Sequence, residues 1–597
     1  MSTQAPELPV PQRPVAPILD AAAPRPVGQG SRRRPDDVPA PVHVGGVETA
    51  LVFLLSWLVF AAIGYRVVIT QHVVPGDALD LMSRAFYVWH NDPAKLAAIG
   101  FTDPPLQTIG LLPFAIVKPL ASSLVALPVA SGFWGAAALT MLHRTMARCG
   151  LGLPIRVVGV LLIGLNPLWL FYATTGMPDM IYVWALAATA YFLMTWAIED
   201  QARFIAGVGL FLALLAMSRF GFLAMAIVLA AVLAWVLAAR NADEDEQRGL
   251  LTTLLSPVGA ILVVWVMACW IIASNPFGWL LDARPFGGTS RSNGAQHVEL
   301  APFLEHLGVL TAGVAITAAL GLLGLVARAK NRDNVAAGIL VLALTGIALV
   351  AGNALVHDDM SLLTLRAMLP VGVIGTVAVI WLARVDGATG RIMGLIALAI
   401  AFPAAALAMD RYPYQNLEQA FLRALVQQTD QEGTSSRGGY PVGIRAEQRM
   451  AAFVKVMAGR RPDAVLADNS TTGGVILLTG RPEVFLDRVD HGDAAFLRTL
   501  QNPWGAVQYL LVTRRQEDSV ATTYPGVAQG RRPGLRPVFS YGGYTLVSVA
   551  RTDPTKTRRT PAAPGGAAAG PGTTGGAAAA GSTGGTTTST TAPGGSR

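Results

Sequence analysis

Apolar runs recur along this chain, and they constrain its fold more than any other feature. They lie at 48–70, 121–142, 156–174, 181–198, 204–217, 221–239, 253–274, 303–326, 335–352, 369–383 and 392–408. A helix of roughly 20 residues crosses the hydrocarbon core of a bilayer. Inside lipid each backbone polar group must be satisfied within the protein, so such runs fold as helices. The pattern therefore predicts an α-helical polytopic membrane domain over 46–409 with about eleven transmembrane helices. The 204–217 run is short for a span, and "MSRFG" separates it from the next. Charged residues make up 14% of the chain and hydrophobic ones 52%, where a soluble domain carries about 25% charged residues. Most of this chain is solvated by lipid.

The flanks read differently. Residues 1–45 are rich in Pro, Ala and Arg, contain "SRRRPDD" and lack apolar periodicity, the composition of a disordered tail. That tail is too long and proline-rich for the basic start of a cleavable signal peptide, so the first apolar run is expected to stay as an anchor. Over 410–552 charge rises and short β-like runs appear: "AVLAD", "EVFLD", "VQYLLVT" and "YTLVSVA", with "HGDAAFLRTLQN" helix-like between them. This alternation predicts a small α/β domain. Residues 553–597 form a Pro/Gly/Ala/Thr tail without core-forming side chains. Two cysteines, Cys149 and Cys269, exclude a disulfide framework and a four-cysteine metal site. The net charge of +8 is spread over scattered arginines, which argues against a nucleic-acid partner.

Basic loops set the orientation. With the N-terminal tail in the cytoplasm, "HRTMARCGLGLPIR", "EDQAR", "RNADEDEQR", "ARAKNRD" and "ARVDGATGR" all face inward. An odd number of spans then puts the C-terminal α/β domain outside the cytoplasm, in a multi-pass protein of the plasma (inner) membrane. Polar residues beside the spans gather on that outer side. "PGDALDLMSRAFYVW" brings Asp77, Asp80 and Arg84, "GFTDPPLQ" brings Asp103, and "TTGMPDMIYVW" brings Asp179. "SRF" adds Arg219, and "HDDMSLLTLRAMLP" adds His357 and Arg366. Acidic side chains at a lipid boundary are costly unless partnered or functional, so their grouping predicts a shared outward cavity. Each also has a structural reading. Asp77, after Gly76, could N-cap a helix, and Asp80 with Arg84 has the i,i+4 spacing of a pair on one helix face. Asp179, after Pro178, suits a first helical turn. Arg219 and Arg366 could snorkel to headgroups, and "DPPLQTIGLLPF" could be a proline-broken connector.

The order of these features resembles the GT-C glycosyltransferases, membrane enzymes that use polyprenyl-phosphate sugars and include protein O-mannosyltransferases and aminoarabinose transferases. A large first outer loop carries Gly-Asp near its start and Pro-Pro-Leu near its end. An acidic turn, "SRF", "SNPFGWL" and "LRAMLP" follow. The likeness covers 48–408, and a C-terminal extracytoplasmic domain is common in that superfamily. Asp77 is followed by Ala78 where the O-mannosyltransferase pattern has an adjacent Asp-Glu pair, which weakens an assignment to protein O-mannosylation.

The resemblance implies transfer of a hexosyl or pentosyl group from a polyprenyl-phosphate sugar donor to an extracytoplasmic acceptor, a cell-envelope glycan, lipid or protein. Asp77 would take the acceptor proton. Arg366 would pair two phosphate oxygens of the donor, with Arg219 and Lys118 as further cations. Asp179 would orient the acceptor or hold a positive partner, and Asp80, Arg84, Asp103 and His357 would support the site. No cluster has metal-ligand spacing, although Asp77 with Asp179 could hold a divalent cation. The lipid bilayer itself is the other partner. Two different readings compete: a transporter or lipid flippase with charges along a pathway, and a non-catalytic GT-C-like scaffold whose outer domain binds cell-wall components. No internal repeat supports the first of them. A phosphatase fused after Thr552 should be active, as an extracytoplasmic C-terminal domain requires; an inactive phosphatase with a fluorescent cytoplasmic reporter at that position would reverse the orientation.

Overall fold

The computed structural model describes residues 40–553, except 43, 92–93, 95, 101–103, 274, 278, 280–297, 331–332, 412–415, 434–441, 489–493 and 515–517. The chain begins with α1 (Gly46–Gly64), which runs on into a π-helical turn at Tyr65–Thr70. Next come α2 (Gly76–His90), α3 (Pro105–Ala115), α4 (Lys118–Ser122), α5 (Ala126–Arg148), α6 (Leu153–Gly164) and α7 (Pro167–Thr174). They are followed by α8 (Asp179–Glu199), α9 (Ala202–Ser218), α10 (Phe222–Ala239), α11 (Glu244–Ala273) and α12 (Leu300–Lys330). The helical part closes with α13 (Asn334–Val356), α14 (Leu365–Val385), α15 (Gly387–Arg411) and α16 (Asn416–Gln427).

Each apolar run falls on a helix or a pair of helices, but fewer qualify as spans than the sequence pattern predicts. Among the described residues seven helices are long and apolar enough to cross a membrane, or nine if each of two bent pairs is one span. The remaining two runs fall short for different reasons. Helix α9 is a shorter apolar helix. Helix α5 is long enough to span but less apolar than the candidate spans, with His143, Arg144 and Arg148 near its C-terminal end. The bend of 69° between α6 and α7 has a local cause. Pro167 opens α7, and the Asn166 side chain accepts a hydrogen bond from the Leu168 amide at 3.0 Å. A proline at this position has no N–H for the preceding helix, and an Asn cap starts a new one. Helix α14 is the most enclosed candidate span, with 78% of its apolar window buried against 22% for the first.

Helix α16 is amphipathic, and its Phe421 and Ala424 enter the same core as the spans. This stretch, assigned by sequence to the outer domain, packs on α7 and α15. The α/β unit proper starts at α17 (Arg445–Ala458). It continues through β1 (Val465–Ala467), α18 (Asn469–Thr479), β2 (Phe485–Asp487), α19 (Ala494–Gln501), β3 (Tyr509–Thr513), α20 (Ser519–Thr523), β4 (Leu535–Tyr541) and β5 (Tyr544–Val549). The sheet order is β2-β1-β3-β5-β4, with β1 parallel to β2 and β3, and β5 antiparallel to β3 and β4. The four β-like runs of the sequence hold four of these strands. The fifth, β4, lies at an edge and contains Pro537, with a register shift between Pro537 and Phe539. A proline within a run is tolerated on edge strands and bulges.

Helix α2 is held between the bundle and this sheet unit. Ala78, Met82 and Phe86 pack with Leu111, Leu127 and Leu477 in one apolar cluster. Ser83 Oγ donates to the Gly473 carbonyl at 2.9 Å, and the buried Tyr87 faces the Asp487 carboxylate. A Cβ at Gly473 would stand 2.9 Å from Ser83 Oγ, so glycine is what lets α18 approach α2 this closely. Gly473→Val should therefore lower stability by about 1–3 kcal/mol through overpacking, measured as a fall in Tm of the purified protein. Gly259→Ala, where an added Cβ meets nothing within 4 Å, should not lower it.

Candidate active site

Four helix ends bring four charged side chains together, although 77, 179, 219 and 366 are far apart in sequence. Asp77 is the second residue of α2. Pro75 takes the extended N-cap conformation there, with no side-chain cap bond. The capping reading of Asp77 is thus corrected: its carboxylate turns to another helix. Asp179 is the first residue of α8 and is fully buried. Arg219 directly follows α9 in extended backbone (φ −155°, ψ 120°). Arg366 lies in the first turn of α14, whose start is fixed by Thr364 Oγ1 accepting from the Ala367 amide at 3.1 Å.

Arg366 Nε donates to Asp179 Oδ1 at 2.8 Å, and its Nη1 donates to Asp77 Oδ2. Arg219 Nη2 donates to the same Asp179 oxygen at 2.5 Å, and its guanidinium lies 4.3 Å from the centroid of the Tyr182 ring. Tyr182 Oη in turn donates to the Arg366 carbonyl at 3.3 Å. The result is an alternating chain Asp77–Arg366–Asp179–Arg219, whose formal charges cancel. Burial differs along it: the Asp77 side chain is 39% exposed and that of Asp179 0%. Asp77 is therefore the carboxylate that an incoming molecule can reach. The snorkelling readings of Arg219 and Arg366 are corrected too, because both guanidiniums turn inward to Asp179.

The remaining candidates separate from this centre. Asp80 and Arg84 pair with each other at 3.0 Å along α2. Lys118 Nζ lies 3.4 Å from Glu483 Oε2, a link between α4 and the sheet unit. His357 is exposed at the end of α13, and Asp103 lies outside the described residues. A divalent cation between Asp77 and Asp179 does not fit, because the Arg366 guanidinium already bridges them. Among the described residues no group of three or more His, Cys, Asp or Glu is placed to hold a metal ion.

One residue of this region escapes the sequence reading. Glu418 of α16 is buried, and its Oε1 accepts from Tyr172 Oη of α7 at 3.3 Å. A signal was present: Glu418 shares one helical stripe with Phe421 and Ala424, a place where an acid is out of keeping.

This architecture, a bent helical bundle with a charged centre at converging helix ends and a small C-terminal sheet unit, has counterparts of the same fold among solved structures. The crystal structure of ArnT from Cupriavidus metallidurans bound to undecaprenyl phosphate matches 84% of this chain and 98% of its own, at 12% identity and a TM-score of 0.50. The Archaeoglobus fulgidus oligosaccharyltransferase, tethered with an acceptor peptide containing the NVT sequon, matches 84% of this chain and 74% of its own at 12% identity and a TM-score of 0.42. The oligosaccharyltransferase AglB from Archaeoglobus fulgidus, in complex with an inhibitory peptide and a dolichol-phosphate, matches 85% and 75% at 13% identity and a TM-score of 0.42. No family model and no curated protein sequence matches this chain.

Removing one partner from a buried ionic network leaves uncompensated charge, which typically costs about 3–5 kcal/mol. Asp179→Asn, which strips a carboxylate from both Arg219 and Arg366, should therefore unfold at much lower temperature. Asp77→Asn, at the exposed end, should stay close to the wild-type Tm in the same thermal scan.

Proposed function

We propose that this protein is a membrane glycosyltransferase that moves a sugar from a polyprenyl-phosphate donor to an acceptor outside the cytoplasm. The observation that carries the reading is Arg366, which faces a half-exposed carboxylate on one side and a buried one on the other. A guanidinium at such a mouth suits a phosphate, because its fork pairs two oxygens at once. Donor phosphate and Asp77 would then compete for the Nη1 side of Arg366. Binding of the donor frees Asp77 Oδ2 to take a proton from the acceptor hydroxyl. The acceptor oxygen bonds to the anomeric carbon as the sugar–oxygen bond to phosphate breaks. The electron pair leaves with the polyprenyl phosphate, whose growing charge Arg366 and Arg219 stabilise.

The donor's lipid also has a place to lie. A narrow apolar cleft runs between α6, α7, α8, α12 and α14, lined by Leu162, Trp169, Met180, Val314, Leu369 and Val373. Met180 adjoins Asp179, and Leu369 is one turn beyond Arg366, so the cleft starts beside the charged centre. The fold shared with ArnT, whose structure holds undecaprenyl phosphate, supports a donor of this class. In this reading the sheet unit lies on the extracytoplasmic side, where its contact with α2 fixes the helix that carries Asp77.

Membranes assayed with labelled polyprenyl-phosphate sugars test the proposal. Asp77→Asn should lower turnover by at least about a hundredfold, the lower range of general-base catalysis, without loss of folded protein. Arg366→Lys keeps the charge but loses the fork, so the donor KM should rise first. Wild-type turnover in a folded Asp77→Asn enzyme would remove Asp77 from catalysis.

A further inference from the structure

Glu418 lies beside the charged centre, on α16, a helix outside the candidate spans. It is 7% exposed and meets the core through the stripe shared with Phe421 and Ala424. Beyond its bond from Tyr172, it lies within electrostatic reach of Arg366 and Asp179. Other charged groups on the elements around α16 are directed elsewhere. Arg66, in the π-turn after α1, donates to Gln428 at 2.8 Å. Asp410 of α15 accepts from Gln419 at 3.2 Å, and Arg411 and Arg423 are exposed.

The four-residue network of Asp77, Arg366, Asp179 and Arg219 is neutral overall. A proton on Glu418 keeps the whole centre neutral, whereas its loss adds one negative charge close to the guanidinium that would meet the donor. We propose that Glu418 is a positioning residue for the donor phosphate, its proton deciding whether Arg366 is offered to that phosphate or shared with a third carboxylate. This rests on the reading of Arg366 as a phosphate ligand. Burial is the largest influence on the Glu418 carboxyl and pushes it up. A backbone hydrogen bond, the Tyr172 hydroxyl and Arg366 pull it down, Asp179 pushes it up, and the balance stands at about 7. The group is thus neutral in mildly acidic medium and ionised in mildly alkaline medium. An anion that prefers the neutral form binds best below this value and weakens as pH rises through it. By reciprocity, its binding draws a proton onto Glu418.

Farnesyl methyl phosphate is a suitable probe, since a phosphodiester keeps a single negative charge from pH 6 to pH 8. Its binding to the purified full-length protein is measured by titration calorimetry across that range. Wild type should weaken by about tenfold between the two ends, the linkage expected for one group titrating midway. Glu418→Gln, which preserves shape and accepts the Tyr172 bond, should bind at every pH as wild type binds at pH 6. Tyr172→Phe removes a contact that favours the ionised form, so its profile should keep its slope with the midpoint moved to higher pH. That variant carries the test if Glu418→Gln fails to fold. A slope retained in Glu418→Gln, a flat wild-type profile, or an unmoved midpoint in Tyr172→Phe would overturn the proposal. Unchanged binding in Arg366→Lys would instead overturn the phosphate reading of Arg366, and the role of Glu418 with it. Asp77→Asn separates the two ideas: it should bind the probe at least as tightly as wild type and keep the pH slope.

Discussion

Arg366 holds Asp77 and Asp179 at the same time, and through Asp179 it is tied to Arg219. Four helix ends are set by these bonds. A charge at the edge of lipid is costly unless it is partnered, and each of these residues bonds a partner on another helix. The start of α14, the start of α8, the end of α9 and the start of α2 must therefore meet at one level. Apolar packing between spans is permissive about sliding, since lipid is nearly as apolar as leucine. The ionic chain supplies the register that such packing lacks.

The helix carrying the outermost carboxylate is restrained from both sides. Its apolar face packs on α3 and α5 residues such as Leu111 and Leu127, while Ser83 and Tyr87 meet the sheet unit. In α/β sheets the carboxyl ends of parallel strands are the usual place for ligands. Here Asp487, at the carboxyl end of β2, faces Tyr87 of α2. The sheet unit spends that position on a helix of its own chain. Deformation of the sheet unit would reach Asp77 through a rigid helix rather than through a loop.

Much of this organisation is legible in the sequence, and the failures have physical causes. Every apolar run proves helical, because lipid leaves the backbone no other choice. Hydropathy counts eleven runs where seven to nine helices are long and apolar enough to span, because it admits the short α9 and the less apolar α5. Alternation finds β1, β2, β3 and β5, but β4 shows mostly exposed side chains and a proline, so its pattern is weak. Loop position brings Asp77, Asp179, Arg219 and Arg366 under suspicion, yet it cannot tell a cap from a bridge. That distinction depends on α14 arriving next to α2, almost 290 residues later in the chain. Glu418 goes unnoticed because charge on a short amphipathic helix reads as ordinary solvent exposure unless its face is checked.

The two edges of the sheet are blunted in different ways. β2 is only three residues long, and β4 is broken by Pro537 and a register shift. Strand addition needs a continuous row of free amides and carbonyls on an edge, and a proline or bulge interrupts that row. An extended polypeptide therefore finds no rail along which to zip itself onto this unit. Any recognition by this unit runs through side chains and loops rather than through strand addition. The same interruption works against edge-to-edge pairing of two such sheets.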